Sequence, residues 1–183
     1  MLCFLGGMAS RESGTVQSRS CGGCTLCCKV YEVPVLTKPK GKWCAHCSPG
    51  KGCAIHMTRP EFCRDFQCMW ILDAKLGDEW RPDRAKFAMS YHAEKSMLAV
   101  TVDSGAPHAW KREPYYAKLK AWARDLLAKG HFVVVYNGDH ATLVTTEHDQ
   151  PLGPVGRGFT IDIVPDGATT HLNIRRGKPE QAA

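Results

Sequence analysis

Cysteine is missing from everything after Cys68; the chain's ten cysteines are Cys3 and a block of nine from Cys21 to Cys68. Disulfide scaffolds spread their bridges over the fold they staple, so a disulfide framework is excluded for most of the chain. An odd number of thiols in one block fits metal ligation better. Also missing is any apolar run near the ~20 residues that cross a bilayer as a helix. No Lys or Arg precedes the short apolar start from Met1 to Gly7, and no lipoprotein-like run precedes Cys3. No export signal is therefore read, and the expected compartment is the cytoplasm, where thiols stay reduced. Charge of one sign is scarce: 24 Lys and Arg against 18 Asp and Glu leave +6, which permits nucleic acid without demanding it. A P-loop, a dinucleotide fingerprint and an H-E-x-x-H motif are absent, which removes the functions that rest on them.

What is present suits about one domain: 183 residues, 44% hydrophobic and 23% charged. Residues 1–20 read as a mobile tail, polar and Ser-rich from Ala9 onward, with Met8 as an alternative start. Residues 21–70 form a cysteine-rich, loop-rich zone, with Pro34, Pro39, Pro49 and Pro60 beside Gly41, Gly50 and Gly52. Such a stretch cannot build a core from side chains alone, and a bound metal supplies the missing stabilisation because its binding energy becomes folding energy. Residues 71–176 read as an α+β body, and 177–183 as a polar tail. The zone and the body together are expected to make one compact domain, 21–176.

In the body, Lys86 to His92 alternates and predicts a strand; Met97 to Asp103 predicts a second. Pro114 opens the clearest helix, with Tyr115, Leu119, Trp122 and Leu126 on one face, Lys118, Lys120, Arg124 and Lys129 on the other, and Gly130 as its stop. HFVVVY, a turn at Asn137-Gly138 and ATLVT predict a hairpin. Phe159 to Val164 and His171 to Ile174 predict two more strands. The expected fold is α+β: a small Cys-rich metal-binding zone packed on an antiparallel sheet of about five or six strands with one long helix.

The chemistry is in the cysteine block. C-G-G-C-T-L-C-C supplies Cys21, Cys24, Cys27 and Cys28, two overlapping C-x-x-C turns sharing Cys24. Such a turn lets two thiolates face one ion while backbone amides point at the sulfurs. Adjacent Cys27 and Cys28 do not easily aim at the same ion, so either one packs while the other ligates or each serves a different metal. C-A-H-C supplies Cys44 and Cys47, Cys53 follows, and R-P-E-F-C-R-D-F-Q-C supplies Cys63 and Cys68. Cys63 and Cys68 can converge if Pro60 starts a short helix whose successive turns present them, holding a metal between this segment and the first loop. Lys29, Lys42, Lys51, Arg59 and Arg64 around the block would offset the negative charge of a tetrathiolate centre.

In order and spacing, C-x-x-C-x-x-C-C at 21–28, G-C-A-I-H at 52–56, R-P at 59–60, C-R-D-F at 63–66 and Cys68 resemble the CxxCxxCC cysteine-cluster family, described as zinc- or iron-chelating. The likeness covers about residues 21–70. It carries eight cysteines onto Cys21, Cys24, Cys27, Cys28, Cys44, Cys53, Cys63 and Cys68, and leaves Cys47 as an extra. Some distant relatives in that family are flagellin lysine methylases, but this chain has no S-adenosylmethionine-type glycine loop. The resemblance implies a metal and not a reaction.

Three functions follow as expectations. In the first, clustered thiolates chelate Zn²⁺ and organise the zone, the remaining biochemical role being open. In the second, the cysteines hold a [4Fe–4S] cluster or other iron with a redox or enzymatic role. In the third, a zinc-dependent module binds nucleic acid, favoured only by charge and by tryptophans, Lys40 to Trp43 being the one stretch where base stacking fits. The metal ion is the one partner named with a mechanism; no protein partner or membrane is implied. His46 and His56 are subordinate ligand candidates. His92, His108, His131, His140, His148 and His171 are read as solvated or core histidines with no nucleophile at a recognisable spacing. Glu79 and Asp83, around Trp80-Arg81-Pro82, are read as a capped turn.

Overall fold

The computed structural model describes residues 19–166 and 169–177. Cys3, Met8 and most of both expected tails lie outside the described residues.

The cysteine zone is built of turns. Gly22 has φ +48°, a conformation L side chains rarely adopt, and a Cβ on Gly23 would lie 2.6 Å from the Gly50 carbonyl oxygen. The C-G-G-C segment therefore closes tightly, with Cys24 N donating to Cys21 O at 2.8 Å. One turn of helix follows, α1 (Cys27–Val30), then a 3₁₀ turn at Pro34–Leu36 and a two-residue hairpin, β1 (Cys47–Ser48) with β2 (Gly52–Cys53). As the sequence predicts, Pro60 starts a short helix, α2 (Glu61–Asp65). It stops before Cys68, which instead caps the next turn, α3 (Met69–Leu72). Helices this short are unstable alone in water, so the zone depends on tertiary contacts.

A fourth short helix, α4 (Pro82–Ala85), leads into the body. Trp80, just before it, is buried in the core rather than part of an exposed loop. β3 (Phe87–His92) pairs antiparallel with β4 (Met97–Val102). The one long helix, α5 (Tyr115–Leu127), then returns the chain to β5 (Phe132–Asn137), which forms a hairpin with β6 (His140–Val144). β7 (Gln150–Pro154) closes the five-stranded sheet in the order β3-β4-β5-β6-β7.

Two expectations need correction. The sheet is mixed, because β4 and β5 run parallel; a strand, a helix and a strand in succession make a crossover that returns the chain to the same end of the sheet. The last two strands, β8 (Phe159–Asp166) and β9 (Thr169–Arg176), form a separate antiparallel pair instead of extending the main sheet.

The pleat divides the packing. Phe87, Val100, Val133 and Val135 face α5, where Tyr115, Leu119 and Ala123 recur every four residues and are buried against them. Trp80 completes this side, its ring 5.0 Å from Tyr115 and 5.1 Å from Trp122. On the opposite face Met97, Ala99, Val134 and Leu143 pack under Phe159, Ile161, Leu172 and Ile174 of the β8–β9 pair. The same face near β3 carries Ala88, which packs with Leu26 and Val30 of the cysteine zone. The zone therefore lies on the sheet face turned away from α5. Trp70, Trp80 and Trp110 are buried and Trp122 packs against the core, which leaves Trp43 as the exposed tryptophan.

Candidate metal centre

All nine described cysteines are free thiols. Eight of them line one cavity of about 510 Å³: Cys21, Cys24, Cys27 and Cys28 from the first loop and α1, Cys44 and Cys53 from the middle of the zone, and Cys63 and Cys68 from the last segment. Cys47 is not on that wall; it hydrogen-bonds to Cys28, and burial with the neighbouring Cys28 pushes its pKa to about 11.

The eight fall into two groups within the cavity. Cys63 faces Cys28, Cys44 and Cys53, and burial followed by these neighbours pushes its thiol up. Cys28 is pushed up furthest, by its hydrogen bond to Cys27 and then by burial. The adjacent pair Cys27 and Cys28 lines the same cavity. Cys68 faces Cys24 and Cys21 instead, and burial raises both Cys24 and Cys68. Backbone N–H groups oppose that rise: Leu26 and Asp83 donate toward Cys24, and Trp70 and Ile71 toward Cys68. Cys63 and Cys68 both line the cavity, but α2 ends at Asp65, so Cys68 is presented by the turn that opens α3 and not by a second turn of α2. Among the described residues, no three Cys, His, Asp or Glu side chains gather as a ready-made single-ion site.

Lys38, which the sequence does not single out, is the buried cation of this site, only 4% exposed. Its Nζ donates to the Lys29 carbonyl at 2.7 Å and to the Tyr31 carbonyl. Burial lowers its pKa, while Cys44, Cys28, Cys27 and Cys63 act to raise it. Flanked by Thr37 and Pro39 in a polar stretch, it carries no signal distinguishing it from a solvated lysine. Of the expected basic neighbours, Lys29 pairs with Asp103 at 2.6 Å and lies 5.7 Å from the Trp43 ring centre. His56 lines the cavity with Arg59, whose guanidinium meets its Nε2; His46 is exposed.

The donor chemistry is soft: thiols surround the cavity, with one histidine and no carboxylate side chain on its wall. Thiolate ligands select zinc and iron–sulfur centres over hard cations. Among the described residues no helix is long and apolar enough to cross a membrane. No protein-family model, curated protein or solved structure matches this chain.

Proposed function

We propose that the chain is a thiolate metalloprotein whose cysteine cavity holds an iron–sulfur centre. The observation that carries this reading is that eight thiols from four separate segments line one cavity of about 510 Å³. A tetrahedral zinc site needs only four donors about 2.3 Å from a single point, and this wall carries twice that number of thiols. Sulfurs spaced around a volume suit a centre of several metal atoms, which each thiolate meets at a different corner. The backbone N–H groups aimed at Cys24 and Cys68 favour their anionic forms, and hydrogen bonds to cluster sulfurs tune such centres. Lys38 places one buried positive charge beside the Cys28 group, where it offsets the negative charge of several thiolates. When bound, an iron–sulfur centre supplies one-electron redox chemistry or a Lewis-acidic iron.

Zinc held by a subset of the thiols is the second reading, favoured by the closeness of Cys28 to both Cys27 and Cys47. The likeness of residues 21–70 to the zinc- or iron-chelating cysteine-cluster family supports either form. Anaerobic purification followed by elemental and sulfide analysis tests both. Brown protein with iron and acid-labile sulfide supports the cluster, and colourless protein with stoichiometric zinc supports the second reading. Protein that takes up neither metal overturns both.

A further inference from the structure

A second cavity, of about 240 Å³, lies on the same sheet face as the cysteine zone. Its floor is β3 and β4. Side chains two apart on a strand share a face, so Ser90 and His92 both line it, with Thr101 beside them on β4 and Tyr31 from the end of α1. Ser90 Oγ is 3.0 Å from His92 Nε2. On the other side of the ring, His92 Nδ1 is 3.5 Å from Glu94 Oε1. The neutral tautomer with its proton on Nδ1 lets Nε2 accept from Ser90 and turns the ring's N–H side toward the nearby Glu94 carboxylate.

Among the described residues the Tyr31 hydroxyl oxygen is buried without a well-aligned hydrogen-bond partner, and it lies beside the hydroxyls of Thr101 and Ser90. A buried donor left unmatched costs about 1–3 kcal/mol, and a ligand acceptor entering this cavity would satisfy it. Burial raises Tyr31 to about 12, so it remains a proton donor at neutral pH.

We propose that this cavity is an acyl-transfer site in which Ser90 is the nucleophile toward a small ester or thioester. Three elements are in place: a nucleophile hydrogen-bonded to a base, a carboxylate near the base's other nitrogen, and a hydroxyl beside the nucleophile. Ser90 Oγ forms a bond to the acyl carbon while its proton passes to His92 Nε2. The carbonyl electrons move onto oxygen, which accepts hydrogen bonds from the Tyr31 and Thr101 hydroxyls. The intermediate collapses with cleavage of the bond to the leaving alcohol or thiol, which takes the proton from His92. Water then attacks acyl-Ser90, giving one proton to His92, and Ser90 recovers that proton as the acid departs. One water is consumed and no redox change occurs; Tyr31 lines the cysteine cavity as well, so the oxyanion donor is shared between the two walls.

A fluorophosphonate ester is the probe, because it phosphonylates activated serine hydroxyls with loss of fluoride and leaves the many thiols out of the readout. The full chain is incubated with it and peptides are mapped by mass spectrometry. The expected result is labelling at Ser90, abolished in Ser90→Ala and slowed by at least about 100-fold in His92→Asn. Tyr31→Phe slows labelling by about 100-fold, as loss of one oxyanion donor does. Circular dichroism of His92→Asn, a half-exposed position, reports that the fold is intact. Folded wild-type protein without label at Ser90, or equal labelling in wild type and His92→Asn, overturns the proposal.

Discussion

Lys29 Nζ stands 2.6 Å from Asp103 Oδ1, an ion pair between helix α1 of the cysteine zone and the residue that follows β4. Both side chains are largely shielded from water, and the same Asp103 oxygen also accepts from Gly105 N at 2.9 Å. The pair therefore fixes how the zone sits on the sheet. Asp103→Asn should lower stability by about 1–3 kcal/mol, since it weakens a charged hydrogen bond and leaves Lys29 part-buried without its countercharge. Urea unfolding measures this, and a double-mutant cycle with Lys29→Met should give a coupling above about 0.5 kcal/mol.

Removal of metal should loosen residues 21–70 before the sheet opens. The zone buries few apolar side chains, chiefly Leu26, Val30 and Val33, whereas the sheet and α5 share a continuous core around Phe87, Leu119 and Val100. Hydrogen exchange after chelation should rise first in the cysteine segments while β4 and β5 stay protected. Equal loss in both regions would show that the zone has no separate dependence on metal.

Single Cys→Ser replacements should sort the thiols by position. Cys24→Ser and Cys63→Ser each remove one sulfur from the cavity wall and should lose bound metal. Cys47→Ser should retain most of it, because Cys47 is off the wall. Cys3→Ser should leave it unchanged, since Cys3 stands apart in sequence from the block of nine. Metal content per chain decides; full retention in both Cys24→Ser and Cys63→Ser would sink the proposed site.

Metal retention should fall with falling pH, and Lys38 should set how steeply. Burial holds the thiols of Cys24, Cys63 and Cys68 above their ordinary range, and the hydrogen bond to Cys27 followed by burial does the same for Cys28, so without metal they are protonated at neutral pH. The loaded state binds fewer protons than the empty one, and acid therefore favours release. Lys38→Met removes the buried cation that favours the thiolates and should move the pH of half-release upward. Chelator-monitored metal loss across a pH series measures the shift, and an unchanged midpoint would show that Lys38 serves only its hydrogen bonds to the Lys29 and Tyr31 carbonyls.

Local pattern by itself determined the elements whose side chains repeat cleanly. The α5 face of Tyr115 and Leu119, the alternation of β3, the β5–β6 hairpin and the crowding of thiols into one segment are all properties of neighbouring residues. β7 escaped notice because Pro151, Gly153 and Pro154 read as breakers, yet its place at the sheet edge leaves room for residues that donate no ladder hydrogen bond. Only the tertiary structure decided which faces meet. Parallel pairing of β4 with β5 depends on where α5 returns the chain. The β8–β9 pair is placed by the apolar back face of the main sheet, which competes with the sheet edge for its side chains. The same holds for the sites. The sequence shows nine clustered thiols, but the end of α2 at Asp65 is what puts Cys68 at the start of α3 and not on a second turn beside Cys63. Burial of Lys38 and the meeting of Tyr31 with Ser90 arise because the cysteine zone folds onto β3, a long-range contact whose energy is spread over many residues and leaves no mark on any one of them.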